Sequence, residues 1–237
     1  MNRSARRILI TLAVLAAVAV GADVGARWLA EGMAADKIAS RIVYGAVLTN
    51  DTKKAEVDIR GFPFLTQVAG GHIGEVGVRL TDIVNPYGVG NSYLTLDAID
   101  FTAYGVTLEG TSRAVAERVE GTAAVDYPTL SKVLGAQTHT DPATGRVSTD
   151  PVTVAPAPGG RGDRVRITQG NATVEAKMSG RDGELVFSPV DGKGIGEVAI
   201  KVPTGGVPVQ VAGASADADH LKIHFAGRGV RLVGAPD

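Results

Sequence analysis

The 237-residue sequence has no cysteine, one tryptophan and no excess of basic residues, and each shortage excludes a class of protein. Without cysteine the chain can form no disulfide, thiolate nucleophile, iron–sulfur cluster or cysteine-ligated zinc site. Lys and Arg number 24 against 25 Asp and Glu, so the formal net charge is −1. We expect no nucleic-acid partner, because phosphate binding needs concentrated positive charge. The hydrophobic content of 44% is typical of a chain that folds around a packed core.

The N-terminus has the layout of a secretory signal. Three arginines within residues 3–7 precede a thirteen-residue run, 8–20, with a single polar member, and small residues follow. The segment 1–22 is then a signal peptide cleaved after Ala22, or an uncleaved anchor lengthened by residues 24–29, since thirteen residues are fewer than the roughly 20 that span a bilayer. Both outcomes predict export to the cell envelope or periplasmic space, with anchoring to the plasma membrane in the second.

Hydrophobic periodicity predicts one long helix followed by many strands. From Ala26 to Val47 the large apolar residues recur at helical spacing, which predicts an amphipathic helix that packs on a sheet; they are Trp28, Leu29, Met33, Ile38, Ile42 and Val43. After Lys54 the period becomes two, as in strands with one buried face, and turn signals at short intervals leave no room for crossover helices. The sheet is therefore expected to be antiparallel.

The order of these elements predicts a single α+β domain over residues 23–237. One short additional helix is expected at 126–135, with a capping residue at its start, Pro128 in its first turn and Gly135 at its end. The Pro- and Gly-rich stretch at about 138–164 predicts a mobile hairpin tip. Two domains divided near residue 140 are the alternative.

The inventory of catalytic and metal-binding groups is thin. His220 and His224 alternate with apolar residues, so on a strand they lie about 13 Å apart and cannot share a metal ion. The glycines of 192–196 lack the spacing of a phosphate-binding loop, and no Gly-x-Ser-x-Gly motif occurs. We expect no catalytic residue, no metal site and no cofactor, and therefore no enzyme.

One apolar segment, Gly61–Gln67, stands apart from the alternating strands. Its sequence is Gly-Phe-Pro-Phe-Leu-Thr-Gln, and Pro63 cannot donate to a strand ladder. The segment is therefore expected at an edge or a bend that brings Phe62, Phe64 and Leu65 together. These side chains are either a core plug beneath the N-terminal helix or contacts to a ligand.

The signal, the amphipathic helix, the Gly61–Gln67 segment and the following strand Glu75–Leu80 together resemble the LmeA-like phospholipid-binding proteins of the actinobacterial cell envelope. The likeness continues through Val125–Leu130 and Leu221–Leu232 and covers nearly all of the mature chain. The resemblance implies a fold similar to the tubular lipid-binding superfamily, in which a long helix lies on a highly curved, mostly antiparallel sheet. It also implies phospholipid as the ligand, contact with a membrane surface, and a role in lipid transport or lipoglycan assembly.

Acyl chains between helix and sheet would need only apolar side chains, because each methylene removed from water contributes about 0.8 kcal/mol. The candidate lipid-binding residues come from the helix, the Phe-Pro-Phe segment and the inward strand faces: Trp28, Met33, Ile38, Phe62, Phe64, Leu65, Val76, Val78, Leu80, Leu94, Leu96, Phe101, Leu185, Phe187, Ile223 and Phe225. A phosphate head group favours a guanidinium at the mouth of the site, and Arg60 and Arg79 are the candidates.

Two other functions fit the same sequence. A ligand-free envelope scaffold or interaction domain would keep its N-terminal segment as an anchor and would have a filled core. A hydrolase would need convergent carboxylates, for which Asp82, Asp97 and Asp100 are the candidates. Protein partners are not indicated by any motif.

Overall fold

The computed structural model describes the backbone of residues 3–42, 47–48, 55–85, 94–109, 113–136, 139–140, 147–148, 150–159, 162–191, 196–202, 204 and 208–233. Three helices and fourteen strands lie within these residues. They follow in the order α1 (Arg3–Ile42), β1 (Val47–Leu48), β2 (Ala55–Arg60), α2 (Phe64–Ala69), β3 (His72–Asn85), β4 (Leu94–Glu109), β5 (Arg113–Asp126), α3 (Tyr127–Ala136), β6 (His139–Thr140), β7 (Val147–Ser148), β8 (Val152–Pro156), β9 (Arg164–Gln169), β10 (Ala172–Arg181), β11 (Glu184–Pro189), β12 (Val198–Lys201), β13 (Gln210–Ala216) and β14 (His220–Val233).

A seven-stranded antiparallel sheet forms the larger half of the fold. Its order is β1-β3-β4-β5-β14-β13, and β2 also pairs with β3. The sheet is strongly curled into a half-barrel. Phe101 of β4 and Phe225 of β14 are both in register with Gly121 of β5. Their rings lie 5.8 Å apart, and a Cβ on Gly121 would lie 2.4 Å from the Phe101 ring, so the glycine makes room for this contact.

The curl has a visible origin at a row of three residues across the sheet. Gly105 and Gly229 have φ values of +60° and +59°, and they flank Glu117 on the two neighbours of β5. Left-handed backbone of this kind is accessible to glycine at little cost. Burial in β4 changes phase at this row, from Ala103 to Val106. The strands therefore turn where the glycines stand, and beyond this row the alternate set of positions faces inward.

A five-stranded antiparallel sheet, β12-β11-β10-β9-β8, completes the fold. It lies against β13, the edge of the large sheet farthest from β2 and β3. The approach is close, because a Cβ on Gly180 of β10 would lie 1.8 Å from the carbonyl oxygen of Val211. Helix α3 packs on β8, and the buried side chains of both sheets form one continuous core.

The predicted fold class is confirmed: the protein is α+β, with a long N-terminal helix and mostly antiparallel, curled sheet. The expected short helix is α3, whose first turn is capped by a hydrogen bond from the Thr129 amide to the Asp126 carboxylate. The structure adds α2, where the sequence predicts a bend. Within 138–164 the chain also forms β8, which pairs with β9. The division into domains stays a prediction.

Helix α1 packs on the sheet differently from expectation. The large apolar side chains of Trp28, Leu29 and Met33 are exposed, whereas Ala26 and Ala30 pack against the core. Small side chains let the helix approach β2 closely, and this leaves the larger ones outside the contact. Among the described helices, none combines the length and the hydropathy needed to cross a bilayer.

Candidate functional site

Polar contacts hold the middle of α1 against β2. The Arg27 guanidinium donates from Nε to Glu31 at 2.8 Å and from Nη2 to Asp58 at 2.6 Å. The Glu31 carboxylate also accepts the backbone N–H of Ile59 at 2.8 Å. The hydrogen bond to Glu31 is the largest influence that raises the pKa of Arg27 above its ordinary value. One side chain of the helix thus accepts a backbone N–H of the edge strand.

An open groove of about 520 Å³ runs between α1 and β2. This volume falls within the range of about 300–1,000 Å³ that small-molecule sites occupy. Trp28 is 76% exposed and Met33 is 60% exposed, so two large apolar side chains line the groove without being used by the core. The complete lining is Trp28, Leu29, Glu31, Gly32, Met33, Ala35, Asp36, Glu56 and Val57.

A second attachment of α1 involves Asp23, which sequence reasoning does not identify as a functional residue. Asp23 is only 4% exposed, and its two carboxylate oxygens accept the backbone N–H groups of Phe64 at 2.8 Å and Leu65 at 2.7 Å. Pro63 precedes α2 and supplies no side-chain cap. Asp23 therefore caps α2 from 41 residues away. The one available sequence signal is an acidic residue just after a long apolar run.

The Phe-Pro-Phe segment divides between core and surface. Phe64 is buried, as the core-plug interpretation expects, whereas Phe62 is 66% exposed and Leu65 is exposed. Val68, one turn after Leu65 on α2, is also exposed. The sequence predicts that Phe62, Phe64 and Leu65 lie together. In the structure Phe62 and Leu65 are both exposed, whereas Phe64 is buried in the core and separated from them.

Most of the inward strand candidates lie in the packed core. The buried members are Leu80, Leu96, Phe101, Leu185, Phe187, Ile223 and Phe225, and Val76 and Val78 are half-buried against them. The side chains of Ile38 and Leu94 lie outside the described residues. The structure thus places the candidate set in three locations: the groove, the surface of α2, and the core. Contact of any of them with lipid stays a prediction.

The two head-group candidates already have anionic neighbours. Arg60 donates to Asp58 at 2.8 Å and to Glu75 at 2.6 Å, and the hydrogen bond to Asp58 is the largest cause of its raised pKa. Arg79 lies 3.7 Å from Asp100. Both arginine side chains are more than half exposed. A phosphate at either would compete with a carboxylate.

Catalytic groups are not gathered in the part of the chain that the structure describes. No group of three His, Asp or Glu residues there could hold a metal ion. His224 shares a hydrogen bond of 2.9 Å with Ser215 across two strands. Asp100 is exposed, and the side chains of Asp82 and Asp97 lie outside the described residues.

Comparison with known proteins supplies the class of ligand. The profile of the LmeA-like phospholipid-binding family matches residues 21–234, which include Asp23, the α1–β2 groove, α2, and the seven- and five-stranded sheets. No curated protein and no solved structure matches the chain significantly. Because the match covers nearly the whole chain, the protein belongs to the LmeA-like phospholipid-binding family.

Proposed function

We propose that this protein is an exported, non-enzymatic phospholipid binder that holds acyl chains in the groove between α1 and β2. Membership of a phospholipid-binding family supports lipid as the ligand. The observation that carries the location is the open groove of about 520 Å³, into which α1 presents Trp28, Leu29 and Met33. Apolar side chains left exposed along one concave surface are typical of a binding site.

The hydrophobic effect is sufficient for such a site. Enclosing about ten methylenes contributes roughly 8 kcal/mol at about 0.8 kcal/mol each, from which the cost of association is subtracted. Glu31, Asp36 and Glu56 also line the groove, and Glu31 is engaged by Arg27. We therefore expect the acyl chain to lie along the apolar side chains of α1, with the head group towards solvent.

The core residues are the second possible location, and they need a different kind of test. Leu96 is fully buried and Phe187 almost so, in contact with the rest of the core. An aspartate at either position would place an unpaired charge in apolar surroundings and unfold the domain. Loss of lipid from such a variant would say nothing about contact. Met33 is exposed, so a charge there is compatible with folding.

The proposed place of action is the cell envelope, and it rests on the signal-like N-terminus. Carriage of phospholipid between envelope layers, or its delivery for lipoglycan assembly, would use the same groove. The alternative function, an anchored scaffold with no ligand, predicts that the purified chain carries no lipid.

Native mass spectrometry of the purified protein, followed by organic extraction and lipid analysis, tests the proposal. The wild type should carry a phospholipid adduct, and Met33→Asp should lower its occupancy at least tenfold without changing the unfolding temperature. Val190→Asp is the matched control, because Val190 is exposed in the turn that follows β11, far from α1, and it should keep the adduct. The intact mass of the same sample also shows whether cleavage occurs after Ala22.

Two results would contradict the proposal. An adduct that survives Met33→Asp at wild-type occupancy would move the site from the groove to the core. A wild-type protein that stays free of lipid after incubation with phospholipid vesicles would favour the scaffold function.

A further inference from the structure

Helix α2 presents a second apolar surface, separate from the groove. Leu65 and Val68 lie three residues apart and share one face of the helix, and Phe62 stands two residues before its first turn. All three side chains are exposed, while Phe64 anchors the helix in the core. These three exposed residues, Phe62, Leu65 and Val68, are called the α2 surface below.

The α2 surface is held in place by hydrogen bonds on both sides. Asp23 fixes the start of α2 through two backbone N–H groups. After the helix, the Gly74 amide donates to the Gln67 side chain at 2.9 Å, and the Leu108 amide donates to the Gly71 carbonyl at 2.8 Å. A fixed scaffold that exposes three large apolar side chains indicates a partner that covers them.

The path of α1 indicates which partner this is. The helix is continuous from Arg3 to Ile42, so the apolar run 8–20 continues directly from the part that caps α2. Asp23 lies three positions after Val20, the end of that run, which is about 4.5 Å along the helix axis. Val20 and Val24 are themselves exposed on either side of Asp23. The α2 surface therefore lies beside the most lipophilic segment of the chain.

We propose that the α2 surface docks on a lipid bilayer, with Phe62, Leu65 and Val68 at the boundary between head groups and acyl chains. The apolar face of an interfacial helix is buried about 5–10 Å into this boundary. The contact does not require the apolar run to remain attached. Asp23 follows Ala22, so a chain cleaved there still holds the residue that caps α2. Docking would bring the membrane close to the end of the groove at Trp28.

A single tryptophan placed on the α2 surface tests the proposal by position. Trp28 is the only tryptophan of the chain, so the double variant Trp28→Phe/Phe62→Trp carries its one fluorophore at position 62. With phosphatidylglycerol–phosphatidylcholine vesicles, its emission should shift to the blue and fall at least twofold when the acyl chains are brominated. The control, Trp28→Phe/Val190→Trp, reports from the turn after β11, beyond the opposite edge of the large sheet. It should show neither change at equal vesicle binding.

Two outcomes would overturn the docking surface. In the first, the tryptophan at position 62 is not quenched by brominated lipid, and iodide quenches it as strongly on vesicles as in solution. This result would place α2 away from the bilayer. A blue shift without vesicles that grows with protein concentration would identify a second copy of the chain as the partner. Lipid retention is measured separately by native mass spectrometry, so failure of the groove and failure of the docking surface give different results.

Discussion

Replacing Asp23 by alanine should loosen α2 and lower the stability of the domain. The carboxylate is buried and is the acceptor for the Phe64 and Leu65 amides at the start of a six-residue helix. No side chain of α2 can replace it as a cap, because Pro63 occupies the capping position. The alanine variant would therefore leave both amides without their acceptor.

The magnitude follows from the different burial of the two amides. The Phe64 N–H is buried, and an unsatisfied buried donor costs about 1–3 kcal/mol. The Leu65 N–H is partly buried and can reach water, so its loss is closer to about 1 kcal/mol. Together they give about 2–4 kcal/mol, which in a domain of this size corresponds to a fall of roughly 4–16 °C in unfolding temperature.

Calorimetry and amide hydrogen exchange measure the global and local parts of this effect. Asp23→Asn keeps one carbonyl oxygen and should lie between wild type and Asp23→Ala. Asp163→Ala removes an exposed carboxylate and should leave the unfolding temperature unchanged. The amides of Phe64 and Leu65 should lose protection in Asp23→Ala before the strands of the core do.

The reasoning is refuted if Asp23→Ala unfolds within 1 °C of wild type and keeps the protection of both amides. That result would mean that α2 is held by its buried phenylalanine and its C-terminal hydrogen bonds alone.

Two further predictions concern the large sheet. Gly121→Ala places a Cβ 2.4 Å from the Phe101 ring and should lower the free energy of unfolding in urea by about 1–3 kcal/mol. Gly77→Ala is the control and should leave the free energy of unfolding unchanged, because a Cβ at that position would lie 3.7 Å from its nearest neighbour. Equal losses in the two variants would disprove the packing argument. The hydrogen bond from Arg60 is the main cause that lowers the pKa of Asp58 below its usual 3.8. The stability that this pair contributes is present above pH 3.8 and is lost as the pH falls through the lowered folded-state pKa. Asp58→Asn should therefore flatten the acid side of the pH profile of unfolding temperature. Parallel wild-type and variant curves would show that the pair is not stabilising.

Local rules account for the parts of the fold that the sequence predicts correctly. Alternating apolar residues place β14 and its neighbours, because every second side chain must face the core. Helix α3 is predicted by Asp126, which caps its first turn, and by Pro128, which lies in that turn. In both cases the physical cause lies within a few residues of the effect, so it can be recognised in the sequence.

Helix α2 and the packing of α1 depend on distant residues and are not predictable in the same way. A six-residue helix is too short to show a hydrophobic period, and the residue that caps it lies on another helix. The spacing of Trp28 and Met33 predicts the helix correctly. It cannot show that the small residues Ala26 and Ala30 take the contact with the sheet instead, because that choice depends on how closely β2 can approach.

The two attachments of α1 explain how the same helix can be fixed and still expose apolar surface. A helix held by a stripe of large apolar side chains would use that stripe in the contact. Here Asp23 of α1 bonds to α2, and Arg27 and Glu31 of α1 bond to β2. Alanines lie between these residues on the helix. Polar bonds and small side chains hold the helix, so Trp28 and Met33 stay exposed beside the groove. A substitution that weakens the polar attachments should therefore displace the groove as a unit, while a substitution of Met33 should change only what the groove binds.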